Sequence, residues 1–103
     1  ILPILSLGGK GVISAMANII PKQTHDIVEY FFNNDIISSR TLQLHALDLI
    51  KNLFIEVNPI PIKEALNLLG WDVGDCRLPL VNMSNTNKEL LRIAMKSYGL
   101  INN

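Results

Sequence analysis

The sequence predicts an α/β fold that is mostly helical on its own, with one strand, four helices and the remnant of a fifth at the front. Three observations carry that expectation. Val12 to Ile19 is β-branched at first, then small, and apolar on both faces rather than alternating, as in a buried parallel strand. Pro21 directly after it opens a helix, so strand and helix form half of a βα unit. From Asp35 to about Val57, apolar residues recur at helical spacing over the longest periodic stretch of the chain.

Ile1 to Leu7 is apolar, with Pro3 near its start and Gly8 as a C′ stop, so it reads as the tail of a helix. Gly8-Gly9-Lys10-Gly11 is then a tight connection into the strand. Ser14, Ala15 and Ala17 are small, which suits an interior where strands converge, as in a barrel. In the next helix Ile27, Val28, Phe31 and Phe32 form one stripe, and Asn33-Asn34 ends it because Asn tolerates the left-handed conformation. The long third helix carries Ile36, Ile37, Leu42, Leu44, Leu47, Leu49, Ile50, Leu53 and Phe54, a stripe wide enough to be covered on more than one side. Asn58 is the expected N-cap of a helix to Leu69, with Pro59 and Pro61 in its first turn and Gly70 at C′. Trp71 to Met83 is irregular. Thr86-x-x-Glu89 is a capping-box candidate and Ser84 a second possible cap for the last helix, whose face is Leu90, Leu91, Ile93, Ala94 and Met95. Gly99 stops it, and Leu100-Ile101 tuck back.

Composition narrows the function classes. In 103 residues the nine basic and nine acidic side chains cancel, which gives no electrostatic footprint for nucleic acid or an anionic membrane. At 17% the charged share is low for a free-standing domain, and 49% apolar suits a piece that buries surface against more protein. Lys10, Asn18 and Lys22 interrupt the apolar front part, so no run is long enough for a membrane span. Ala15-Met16-Ala17 has the form of a signal-peptidase site, but no basic region precedes it and Lys10 and the glycines break the apolar core such a signal needs. The chain begins Ile1-Leu2-Pro3 without an initiator Met, the expectation being a processed or truncated product. Cys76 alone excludes an internal disulfide, and with His25 and His45 far apart it makes no metal-ligand pattern.

The candidate chemistry is thin. A phosphate loop needs a strand before its glycines and a helix after them, whereas here the glycines precede the strand. A Schiff-base lysine needs desolvation or a cationic neighbour. Lys10 and Lys22 flank the strand in turns, and Lys51, Lys63, Lys88 and Lys96 sit on helices facing solvent. His25 and His45 lack the partners of a catalytic triad. Cys76 reads as a structural thiol, Arg77 as a clasp for its loop through a carboxylate, and Trp71 as a packing anchor for the preceding helix end. The residues by themselves yield a terminal βα unit with extra helices, and no reaction.

Gly8-Gly9-Lys10-Gly11-Val12-Ile13-Ser14 followed by Ala17-Asn18 resembles the last barrel strand of the dihydrodipicolinate synthase family (4-hydroxy-tetrahydrodipicolinate synthase). Leu53-Phe54-Ile55-Glu56, Asn58-Pro59-Ile60-Pro61-Ile62-Lys63, Arg77-Leu78-Pro79-Leu80 and the closing Leu90-Leu91 to Tyr98-Gly99-Leu100 resemble that family's C-terminal helices, in collinear order over the whole chain. The Asn-Pro-Ile-Pro-x-Lys motif is the most specific part. It favours this family over N-acetylneuraminate lyase and the keto-deoxy sugar acid aldolases.

The resemblance implies a TIM (β/α)8 barrel parent, with residues 1–33 as the end of the barrel and 34–103 as a C-terminal helical domain. It implies a cytoplasmic homotetramer of lysine biosynthesis that takes no cofactor or metal. Pyruvate, held as a Schiff base on a barrel lysine, condenses with aspartate semialdehyde, and a tyrosine relay moves protons. That lysine and those tyrosines belong upstream of Ile1, so the expected partners include the upstream part of the same protein. Ile13 matches the position whose main chain lines the pyruvate site, and Leu7 matches a dimer–dimer interface position. Ala15-Met16 departs from the usual Val-Thr, and Val57 stands where many members have Pro. A reading from another class also stands, a non-catalytic helical interaction module.

Overall fold

A computed structural model describes residues 1–103. Five α-helices follow one another: α1 (Leu2–Ser6), α2 (Pro21–Phe32), α3 (Ile36–Leu53), α4 (Ile60–Leu68) and α5 (Asn85–Tyr98), with one 3-10 turn at Ala15–Asn18. By compactness the chain divides into Ile1–Leu47 and Asp48–Asn103, a division that falls inside α3.

Four helices end in the same way. After α1, Gly9 N–H donates to the Ile4 carbonyl and Gly8 N–H to Leu5, the paired bonds of a Schellman motif. After α2, Asp35 bonds Tyr30 and Asn34 bonds Phe31. After α4, Trp71 bonds Leu66 and Gly70 bonds Asn67, and after α5, Leu100 bonds Met95 and Gly99 bonds Lys96. The residue that must turn left-handed is Gly8, Asn34, Gly70 or Gly99, with φ of 101°, 63°, 89° and 95°. Those are the stop residues expected from sequence.

The predicted strand is corrected. No strand forms from Gly9 to Ser14; Ser14 itself is extended (φ −126°, ψ 131°), and Ala15–Asn18 coils into the 3-10 turn. Local bonds explain the change. Ala17 N–H reaches the Ser14 carbonyl at 3.0 Å, and the Asn18 side chain donates to the Ala15 carbonyl at 3.0 Å. These bonds satisfy the small residues within one turn, where a strand would need ladder bonds from a neighbour.

In the first unit the core is Leu5, Met16, Ile19, Ile20, Ile27 and Ala46. Two buried hydroxyls are satisfied within it. Thr24 donates to the Ile20 carbonyl at 2.8 Å, and Ser39 donates from α3 to the Ile27 carbonyl of α2 at 2.7 Å. The apolar stripe of α3 is far less covered than its width suggests. Only Ser39, Ala46, Leu49 and Leu53 are buried along it, while Ile36, Ile37, Leu44 and Leu47 are exposed. That helix also stops at Leu53 rather than Val57, where Phe54 and Ile55 bond back only three residues in a tightened turn.

In the second unit Leu49, Leu53, Ile60, Ile62, Ala65, Met83, Leu91, Ala94 and Met95 are buried together with Pro61. α4 begins one residue later than expected. Its N-cap is Pro59 after a cis Asn58–Pro59 bond, with no side-chain cap, so Asn58 does not play the capping role. For α5 the structure selects Ser84 over Thr86: Ser84 Oγ accepts from Asn87 N–H at 3.3 Å. The carboxylate that a capping box would place at the third helical residue comes instead from Glu56. Its Oε2 accepts from Ser84 N–H at 3.1 Å, Ser84 Oγ at 3.3 Å and Asn87 Nδ2 at 3.0 Å. Glu89, the expected box partner, forks with Arg92 at 2.6 Å and 2.9 Å.

Candidate functional site

The segment between α1 and the 3-10 turn is where the structure leaves most chemistry open. Its entry is fixed by Gly9. A Cβ there would meet the Ile4 carbonyl oxygen at 2.8 Å and Ile4 Cγ2 at 2.8 Å, so only glycine lets the chain turn this close over α1. From Gly11 to Ile13 the backbone makes no hydrogen bond within the chain, and Ser14 contributes only its carbonyl, to Ala17. Free donors and acceptors in extended conformation form a template for another strand. The Ile13 side chain is fully exposed at 106% and Leu7 is 85% exposed, whereas Met16, two residues past the segment, is buried. Beside the segment lies an open groove of about 340 Å³, lined by Gly11, Val12, Ala17, Pro21, Thr24, His25 and Val28.

The other residues singled out from sequence hold ordinary positions. Lys22 pairs with Asp26 one helical turn on, and that hydrogen bond, with the attraction of the carboxylate, raises its pKa. A Schiff-base nucleophile needs the opposite shift. Lys63 donates to the Asp75 carbonyl at 2.6 Å, and Lys88 pairs with Glu64 at 2.7 Å. Exposed His25 stands 3.9 Å from Glu29. No three His, Cys, Asp or Glu side chains gather as a metal site, and no helix is long and apolar enough to cross a membrane.

The loop from Trp71 to Met83 corrects two expectations. Trp71 lends its backbone N–H to the end of α4, but its side chain is 71% exposed and anchors nothing. Arg77 makes no ion pair. The clasp is Asn67 instead, whose Oδ1 accepts from Val73 N–H at 2.8 Å and whose Nδ2 donates to the Gly74 carbonyl at 3.2 Å. Sequence reasoning missed Asn67 because a single amide on a helix gives no signal until the loop folds over it. With Lys63, Asn67 closes a polar hollow beside half-buried Cys76 of only about 10 Å³, barely one water molecule.

A segment without backbone partners, followed by a 3-10 turn, a helix and then a helical unit, has the form of a closing βα step with helices after it. The chain belongs to the Dihydrodipicolinate synthetase family, whose model matches residues 1–98. It is 59% identical over 100 residues to the 4-hydroxy-tetrahydrodipicolinate synthase of Caldicellulosiruptor bescii, covering 97% of this chain and 34% of that protein. Among solved structures it is similar to dihydrodipicolinate synthase from Thermotoga maritima (42% identity, TM-score 0.92, 96% of this chain and 34% of that one). It is also similar to a dihydrodipicolinate synthase variant described as monomeric (41% identity, TM-score 0.93, 96% and 33%). These structural neighbours are TIM-barrel proteins. The chain therefore spans about a third of the length of the relatives it matches.

Proposed function

We propose that this chain supplies the C-terminal third of a 4-hydroxy-tetrahydrodipicolinate synthase, which condenses pyruvate with L-aspartate 4-semialdehyde in the cytoplasm, in lysine biosynthesis. The reading rests on the family match along almost the whole chain. The observation in the molecule that supports it is the Gly11–Ser14 segment, whose backbone makes no hydrogen bond within the chain from Gly11 to Ile13. In this reading residues 1–33 close the barrel and residues 34–103 form the helical domain outside it. The segment pairs on both edges with strands that the rest of the enzyme contributes, and the Ile13 main chain lines the pyruvate site. An apolar side chain there packs against the imine and keeps water from it. Leu7 sits in a contact between subunits of a homotetramer. The imine forms on a lysine outside this chain, so the chain alone has no nucleophile and no activity.

Lys22 is not the nucleophile in this reading, because its hydrogen bond to Asp26 raises its pKa. Borohydride reduction in the presence of pyruvate tests the reading. The chain alone acquires no pyruvate-derived mass, whereas co-expression with the N-terminal two-thirds of a relative gives a single adduct on a lysine of the supplied part. An adduct on Lys10 or Lys22 would overturn the assignment of the nucleophile.

A further inference from the structure

We draw no further inference here: the strongest candidate, the exposed apolar surface of Trp71, Val73, Leu78 and Val81 on the loop between α4 and α5, carries nothing because nothing in the structure shows what covers it.

Discussion

Gly9 illustrates how much one missing Cβ decides. Its φ is not left-handed, so the usual argument for glycine does not apply, and the constraint is space. Alanine at position 9 would push against the Ile4 carbonyl, which is backbone and has no rotamer to yield. Gly9→Ala is expected to cost about 1–3 kcal/mol, the range of a small overpacking change. Gly11 provides the control. A Cβ there meets nothing within 4 Å, and Gly11→Ala is expected to stay within about 0.5 kcal/mol of the parent. Urea unfolding of the two variants side by side checks both. Equal losses would mean that the approach to Ile4 does not matter.

Asp35 serves two helices, α2 and α3. Its N–H closes α2 on the Tyr30 carbonyl, and its carboxylate accepts from Ser38 N–H at 3.0 Å to cap α3. The bonds from Ser38 lower its pKa below the ordinary 3.8. A lowered carboxyl pKa stabilises the fold above the unfolded value, because between the two pKa values the unfolded chain binds more protons. That contribution is therefore complete above about pH 5 and fades as pH falls through the lower, folded value. In Asp35→Asn the cap survives without the titration, so its acid unfolding curve is expected to flatten in that window relative to the parent. Circular dichroism at 222 nm across pH 2–6 checks this, and superimposable curves would rule it out.

The start of α5 shows the same economy with different residues. Ser84→Ala removes the cap and its bond to Glu56, at an expected cost of about 1 kcal/mol. Thr86→Ala, inside the first turn, is expected to change stability by less than about 0.5 kcal/mol. Thermal unfolding of both variants separates them. Should Thr86 prove the more costly, Thr86 would be the functional cap. Because Glu56 and Ser84 share bonds, Glu56→Ala combined with Ser84→Ala is expected to cost less than the sum of the two.

At the scale of the whole molecule the exposed apolar surface stands out. Leu7, Ile13, Trp71 and Leu78 are each more than 70% exposed, and the formal net charge is zero. Large exposed apolar side chains mark contacts, and unpaired strand edges invite pairing with other chains. The chain alone is expected to self-associate with rising concentration in sedimentation velocity, and the N-terminal two-thirds of a relative is expected to suppress that association. A monodisperse monomer that melts cooperatively would favour the helical interaction module over the enzyme piece.

The existence of the helices, the stop residues of α1, α2, α4 and α5 and the family were legible in the residues, whereas the end of α3 at Leu53 was not. Gly8, Asn34, Gly70 and Gly99 could be read as terminators because the left-handed turn depends on the residue type at one position. Other contacts arise only on folding. Glu56 reaches the α5 cap from 28 residues away, Asn67 rather than Arg77 clasps its loop, and Ser39 joins α3 to α2. Such bonds leave no local pattern, because their partners become neighbours only after folding. The stretch read as a strand divides between the two levels. Its apolar character up to Ser14 is written in the residues, but a strand is a relation between two segments. From Ala15 to Asn18 the backbone instead closes a turn through its own bonds.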